Sequence, residues 1–156
     1  IGGHGKHLER IKSQISTKQL ANVLTPGHVS HQMIPSWLKL ADILLLPMQE
    51  NVEASGGQNI GRWTSPIKLF EYMAADRPIC VSDLPILREI VQEHQVKFIT
   101  ASNPKAWVLA IRELMDDPQA MKTLSDESKS AAQQYGWNGR AEKLVRWSTT
   151  NQKPLL

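Results

Sequence analysis

Short apolar runs alternate with amphipathic segments along this chain. Helical spacing of apolar residues predicts helices over residues 6–17, 30–40, 66–75, 86–91, 104–115, 118–134 and 140–147. Apolar runs predict strands over residues 23–24, 43–46, 79–81 and 96–99, and Ile1 reads as the end of one more. The run at 43–46 has no polar position and predicts a strand buried on both faces.

This order of elements predicts the fold class. Strands that alternate with helices form parallel sheets with right-handed crossovers. Four or five strands are too few for an eight-unit barrel, so we expect an α/β fold with an open, doubly wound, Rossmann-like parallel sheet. In such sheets ligands bind beyond the carboxyl ends of the strands.

One loop interrupts the periodic pattern. Residues 48–64 are polar and glycine-rich, and loops longer than about 12–15 residues in a compact domain are uncommon and usually functional or disordered. The next helix begins at once, with Ser65 at the predicted N-cap and Pro66 in the first turn. The loop therefore leads into a well-formed helix N-terminus.

The start of this helix carries the candidate chemistry. Free backbone N–H groups of Ile67 and Lys68 attract an anion such as a diphosphate, and the hydroxyls of Thr64 and Ser65 adjoin them. Glu71 lies four residues after Ile67, on the same side of the helix, where its carboxylate could accept two hydrogen bonds from a ribose diol. In the alternative interpretation this is an ordinary capped helix on which Lys68 and Glu71 face water.

Composition bounds the remaining classes. A chain of 156 residues predicts one compact unit, and its net charge of +3 suits a phosphate-bearing partner or an ordinary solvated surface. Cys80 is the only cysteine, which excludes an internal disulfide and predicts a buried thiol in a cytoplasmic protein. Histidines spaced by three, at 4 and 7 and at 28 and 31, have no cysteine or carboxylate cluster beside them, so no metal site is predicted.

The segment SPIKLFEYMAADRPICVSDLP, residues 65–85, resembles the C-terminal, nucleotide-sugar-binding domain of the retaining glycosyltransferases called group 1 or family four, which have the GT-B fold. Residues 27–47 and 106–144 resemble earlier and later parts of the same domain. The resemblance implies a partial donor-binding domain over residues 1–147 that lacks its first strand or strands, followed by a loose tail over 148–156.

The resemblance also implies roles for individual residues. Of the two acidic residues that bracket the family's donor site, the second corresponds to Glu71, which is expected to hold the ribose. The first falls at Trp63, a departure that removes the carboxylate assigned to the hexose hydroxyls. Trp63 could stack on a sugar or base or anchor the loop, while Glu50 and Glu53 could substitute for the missing acid or simply face water.

A second candidate segment follows from the same resemblance. The loop at residues 26–30 takes the place where the family holds the nucleobase by backbone contacts, so Gly27, His28 and Val29 join Pro66 and the helix start as substrate-binding candidates. No catalytic residue, cofactor or metal is predicted within the chain. Nucleic acid is not an expected partner.

The implied function is that of the donor-binding half of a retaining glycosyltransferase, which moves a sugar from a nucleoside diphosphate sugar to a hydroxyl. The basic pair that neutralises the diphosphate, and an N-terminal acceptor domain, would precede Ile1, so the chain alone is expected to be inactive, and any peripheral membrane contact would involve that absent half. Two alternatives stay open: a catalytically silent nucleotide-binding or nucleotide-sugar-binding fragment, and a nucleotide-sugar 2-epimerase of the same fold.

Overall fold

A parallel sheet of three strands organises most of the chain. The computed structural model describes residues 5–50 and 66–150, and the chain divides into two compact units, Ile1–Trp37 and Leu38–Leu156. The described strands are β1 (Leu44–Leu46), β2 (Ile79–Ser82) and β3 (Lys97–Ile99). They lie in the order β1-β2-β3, with Leu45 opposite Cys80 and Val81 opposite Phe98, and both pairings are parallel, which confirms the predicted sheet type.

Helices flank these strands in the predicted alternation. The described helices are α1 (Lys6–Thr17), α2 (Ile34–Lys39), α3 (Ile67–Met73), α4 (Pro85–Arg88), α5 (Pro104–Met115), α6 (Pro118–Ala132) and α7 (Trp137–Thr150). Two 3₁₀ turns, His31–Met33 and Gln133–Tyr135, precede α2 and α7. Of the described helices, none is both long enough and apolar enough to cross a bilayer.

Capping explains why two helices begin where the sequence predicted. The Asn103 carboxamide oxygen accepts a hydrogen bond from the Ala106 N–H (3.2 Å), and the Asp117 carboxylate accepts one from the Ala120 N–H (2.9 Å). Each cap is followed by a proline at the start of the helix, where a missing N–H costs nothing. The predicted bounds of α5 and the predicted start of α6 are confirmed.

The side chains of β2 pack into two apolar clusters, one on each face of the sheet. Ile79 and Val81 point into a cluster with Leu69 and Met73 of α3. Cys80 points the opposite way, into a cluster whose other buried members come from β3, α5 and α6: Ile99, Ala110, Leu114 and Leu124. Since alternate residues of a strand face opposite sides, helices on both faces bury β2 completely, which is the doubly wound arrangement.

Several predicted elements differ in the structure, among them the helix predicted over 30–40, of which only Ile34–Lys39 is α-helical. Residues 23–24 form no strand, since Leu24 is 79% exposed and Pro26 follows without an N–H to donate. β1 is not buried on both faces, because it is an edge strand of the described sheet and Leu45 is 41% exposed. α4 is shorter than the predicted 86–91 and begins one residue earlier, at Pro85.

The last helix is longer than predicted at both ends. α7 begins at Trp137 rather than at residue 140, and it continues to Thr150, three residues past the predicted end. The Ser148 and Thr150 hydroxyls donate to the carbonyls of Val145 (2.8 Å) and Arg146 (2.9 Å), so these polar residues are satisfied within the helix. Residues 151–156 of the predicted tail lie outside the described residues, and the predicted domain division stays a prediction.

Hydrogen bonds from Ser125 and Lys129 to Asp76 join the segment after α3 to α6. Asp76, three residues past α3, has a positive φ of 62° and accepts hydrogen bonds from Ser125 (3.2 Å) and Lys129 (2.6 Å) of α6. The Lys129 hydrogen bond lowers the pKa of the Asp76 carboxyl. Ser128, on the same helix, is fully buried, and its hydroxyl has no partner among the described residues.

Ser125 and Ser128 form a matched pair of variants for measuring how much the hydrogen bond to Asp76 contributes to stability. We expect Ser128→Ala to leave the free energy of unfolding unchanged or raise it by up to about 1 kcal/mol, because it removes a buried, unsatisfied hydroxyl. Ser125→Ala should lower it by about 0.5–1.5 kcal/mol, since a hydrogen bond is lost. Urea unfolding followed by circular dichroism measures both, and a larger loss for Ser128→Ala would contradict the assignment.

Cys80 should be chemically inert in the folded protein. Burial raises the pKa of its thiol to about 11, and its side chain is fully buried. Since the thiolate is the reactive form, we expect no alkylation by iodoacetamide at pH 8 until urea unfolds the chain, when one thiol per molecule should react. Rapid labelling of the native protein, read by mass spectrometry, would show that this strand is accessible.

Candidate functional site

The candidate site lies where the described strands end. β1 and β2 are adjacent and parallel, and α3 connects them, so the N-terminus of α3 lies at the edge formed by the carboxyl ends of the strands. At that edge the buried Ser82 hydroxyl donates a hydrogen bond of 2.7 Å to the Met48 carbonyl. This bond ties the end of β2 to the residues that follow β1.

The start of α3 differs by one residue from the prediction. Pro66, not Ser65, is the N-cap residue, it is buried, and its carbonyl accepts the Leu69 N–H at 2.8 Å. A proline cap has no side-chain oxygen, so no side chain caps this helix. Ile67 and Lys68 still occupy the first turn, where helix N–H groups have no intrahelical acceptor. Trp63, Thr64, Ser65 and Glu53 lie outside the described residues.

Glu71 and Lys68 form an ion pair on the outer side of α3. The Lys68 Nζ lies 2.7 Å from Glu71 Oε2, three residues along the helix. The Glu71 side chain is 26% exposed, while Leu69 and Met73 of the same helix are buried in the core. Lys68, the predicted counter-charge for a phosphate, is therefore already paired with Glu71, the carboxylate predicted to bind a ribose.

Burial changes the chemistry of one neighbour. Tyr72 is half-buried against the first apolar cluster, and burial raises the pKa of its phenol, with opposing smaller effects of Lys68 and Glu71. It stays a neutral hydrogen-bonding group at physiological pH. α3 thus presents one carboxylate, one ammonium and a neutral phenol.

A second polar group marks the end of β2. The Asp83 carboxylate accepts hydrogen bonds from the Arg88 guanidinium, with Nη2 to Oδ2 at 3.0 Å, and Arg88 also donates to Glu93 at 3.1 Å. The Arg88 guanidinium carbon lies 4.3 Å from the centre of the Phe98 ring. The Arg88 hydrogen bond holds the pKa of Asp83 below its usual range, so the turn after β2 is fixed by a charged cluster.

The described residues of the larger unit line at least two hollows. One, of about 520 Å³, adjoins α3 and is lined by Ile67, Phe70, Gln134, Tyr135, Trp137, Arg140 and Lys143. The other, of about 340 Å³, lies around Asp42, Asp76 and Arg77, which precede β1 and β2, and so belongs to the opposite edge of the sheet. Of the predicted site residues that the structure describes, only Ile67 lines either hollow.

The remaining candidates lie apart from α3 in the chain. Gly27, His28 and Val29 belong to the smaller unit, where Gly27 adopts a positive φ of 81° that suits the turn after Pro26. Glu50 is described and exposed. That these residues meet Glu71 stays a prediction. Among the described residues, no group of three histidine, cysteine or carboxylate side chains could hold a metal ion.

Six residues around the first hollow were absent from the predicted site: Phe70, Gln134, Tyr135, Trp137, Arg140 and Lys143. The sequence analysis placed Arg140 and Lys143 in the last predicted helix, whereas Tyr135 and Trp137 fell between the two predicted terminal helices. The one available signal was the break at Gly136 between two helices, with an aromatic residue on each side. The periodicity of the sequence does not show in which direction the helix after this break runs.

The fold and this site define a class, an α/β protein with the architecture of the C-terminal half of a GT-B glycosyltransferase. Residues 1–131 match the family Glycosyl transferases group 1, and the chain belongs to this family. The predicted family and fold class are thereby confirmed.

Individual relatives agree with this assignment. TuaH of Bacillus subtilis (strain 168), a glycosyltransferase assigned by name to teichuronic acid biosynthesis, is 19% identical over 130 residues, which cover 83% of this chain and 31% of TuaH. D-inositol 3-phosphate glycosyltransferase of Thermobispora bispora is 25% identical over 114 residues, which cover 72% of this chain and 24% of that protein. The chain thus spans about a quarter to a third of the length of these relatives.

A solved structure shows the same fold. HepE of Anabaena in complex with UDP superposes with a TM-score of 0.76 at 14% identity, over 96% of this chain and 40% of HepE.

The Asp83–Arg88 pair should make stability depend on pH. The pKa of Asp83 is lower in the folded state, so the pair's contribution is present above the ordinary carboxyl pKa of about 4 and is lost as the pH falls through the folded value. We expect Arg88→Gln to lower the melting temperature at pH 7 and to differ less from the wild type at pH 3.

Thermal unfolding between pH 3 and pH 7, followed by circular dichroism, checks this. Lys122→Gln, which breaks an exposed pair with Asp126 on one helix, is the matched control and should have a smaller effect at pH 7. A pH-independent difference between Arg88→Gln and the wild type would contradict the assignment.

Proposed function

We propose that this chain is the donor-binding half of a retaining glycosyltransferase that transfers a sugar from a nucleoside diphosphate sugar to a hydroxyl group. Membership of the group 1 family is the observation that carries the proposal. Structures of HepE, which shares this fold, contain UDP and UDP-glucose. A nucleoside diphosphate sugar is therefore the ligand class that we assign to this chain.

The geometry of α3 supports a specific mode of binding. In the proposed complex, the N–H groups of Ile67 and Lys68 and the Lys68 ammonium meet the diphosphate, while the Glu71 carboxylate accepts the two ribose hydroxyls. In the free protein Lys68 and Glu71 are paired with each other at 2.7 Å, so the proposed ligand exchanges this ion pair for its own contacts to both side chains. Thr64, Ser65 and Trp63 stay predicted donor-binding residues, and Gly27, His28 and Val29 stay the residues predicted to hold the base.

The chemistry follows from where charge develops. As the bond between the sugar and the diphosphate breaks, negative charge accumulates on the departing phosphate, and donors already aimed at that oxygen stabilise the transition state more than the ground state. Lys68 can supply this stabilisation once the ribose displaces it from Glu71. Retention at the anomeric carbon is proposed with the family assignment and rests on no residue described above.

The isolated chain is proposed to bind nucleotide without transferring sugar. It spans 24–31% of the curated relatives, and in the proposed enzyme a separate domain binds the acceptor. Calorimetry with UDP measures nucleotide binding, and an assay for donor hydrolysis and transfer should find neither reaction. Incubation of a donor sugar nucleotide alone tests for an epimerase. Epimerisation of a donor incubated alone would contradict the proposal.

Glu71 provides the direct test of the binding mode. We expect Glu71→Ala to weaken UDP binding by about 1.5–3 kcal/mol, or about 10- to 150-fold, because charged hydrogen bonds to the ribose are lost. Glu113→Ala, which breaks the exposed Lys97–Glu113 pair (3.5 Å), is the matched control and should bind UDP normally. Isothermal titration calorimetry measures both.

Lys68→Ala separates ribose binding from loss of the ion pair. If Glu71 serves only its pairing with Lys68, the two single variants will have equal, small effects on the melting temperature, and Glu71→Ala will leave UDP affinity unchanged. Unchanged affinity in a folded Glu71→Ala variant would remove this residue from the site.

A further inference from the structure

Glu71 is the most buried of the ion-paired carboxylates within residues 5–50 and 66–150. Its side chain is 26% exposed, whereas the other carboxylates in ion pairs are 40–78% exposed. A carboxylate that is partly withdrawn from water holds a charged partner more firmly than a fully solvated one, because less solvent screens the two charges. The partner here is the Lys68 ammonium, 2.7 Å from Glu71 Oε2.

Lys68 is the more solvated member of this pair. Its side chain is 57% exposed, and the bond to Glu71 is the one that its ammonium donates among the described residues. A lysine carries its charge on a flexible four-carbon stem with three rotatable donors, so the ammonium can move to another anion while the helix stays as it is. The lysine can therefore change partners without a change in the backbone.

The two parts of a nucleoside diphosphate make different demands on the pair. Two ribose hydroxyls that bind one carboxylate occupy both of its oxygens, and one of these oxygens, Glu71 Oε2, already accepts a bond from Lys68. A nucleoside must therefore break the ion pair, and it offers no anion to the ammonium that it displaces. A nucleoside diphosphate offers its phosphates, so Lys68 exchanges one anion for another.

We propose that the Lys68–Glu71 pair makes ribose recognition depend on the diphosphate, so that the site selects nucleoside diphosphates against nucleosides and Lys68 determines this specificity. The proposal rests on the proposed function. The dependence is reciprocal, since the diphosphate releases Glu71 for the ribose and the ribose releases Lys68 for the diphosphate. Lys68 therefore acts twice, as a competitor for Glu71 in the free protein and as a counter-charge in the complex.

Binding of uridine and of UDP to the Lys68→Met variant tests the coupling. We expect the variant to bind uridine about two- to fivefold more tightly, because the ribose no longer has to break an ion pair. It should bind UDP about tenfold or more weakly, because a charged hydrogen bond to the phosphates is lost. Calorimetry measures UDP, and chemical-shift titration by NMR measures the weaker uridine. Uridine is neutral, so the loss of a positive charge does not by itself change its binding.

Two further variants show whether the effect passes through Glu71. In a Glu71→Ala background, Lys68→Met should leave the affinity for uridine unchanged, because no carboxylate remains to be released. Lys122→Met is the matched control, since it removes the cation of another exposed ion pair within one helix, at the opposite edge of the sheet. It should leave the affinities for uridine and UDP unchanged. Circular dichroism checks that each variant is folded.

The results separate this proposal from the donor assignment. If Lys68→Met weakens UDP binding but does not tighten uridine binding, Lys68 is a counter-charge only, so the coupling is overturned and the donor assignment stands. The coupling is also overturned if uridine binding tightens as much in the Glu71→Ala background or in Lys122→Met. A wild type that binds uridine as tightly as UDP would contradict the selectivity, and one that binds no UDP would overturn both proposals.

Discussion

Burial of a single central strand is the constraint on which the rest of the structure depends. β2 pairs in parallel with β1 on one side and β3 on the other, and all four of its residues are buried. Parallel strands require crossover connections, and crossovers place helices over both faces of the sheet. The same pairing brings Met48, Asp83 and Thr100, which follow the three strands, to one edge. The position of the candidate site is thus a consequence of the sheet.

The site described at this edge differs in kind from the cavity beside it. On α3 the charges are already paired, so a ligand must replace Glu71 as the partner of Lys68. Arg140 and Lys143, which line the cavity, take part in no ion pair among the described residues, and both side chains are exposed to solvent.

Sequence periodicity and caps predicted most of the fold. α1 and α5 have their predicted bounds, the latter because Asn103 and Pro104 mark its start chemically. Residues 23–24 were wrongly predicted as a strand, since pairing depends on a neighbour that a two-residue run cannot specify. The start of α7 at Trp137 was not predicted, and Gly139, a residue with low helix propensity, lies within this helix.

The candidate site was only partly predictable. The ion pair of Lys68 and Glu71 follows from their spacing on a helix, and the family resemblance selected Glu71 itself. Pro66 rather than Ser65 is the N-cap residue of α3, and helix propensity does not determine which of two adjacent residues takes that position. Arg140 and Lys143 reach the cavity through the direction of α7 after a 3₁₀ turn, a tertiary property that periodicity does not carry.

The far half of α7 has a practical consequence. Leu144, Val145 and Trp147 are all large, apolar and exposed on this helix. Side chains of this kind, gathered on one element, promote association at high concentration. A preparation of the 156-residue chain should accordingly bind a hydrophobic dye in its native form and become turbid as salt is raised, and polar replacements along that helix are the natural route to a sample suited to spectroscopy.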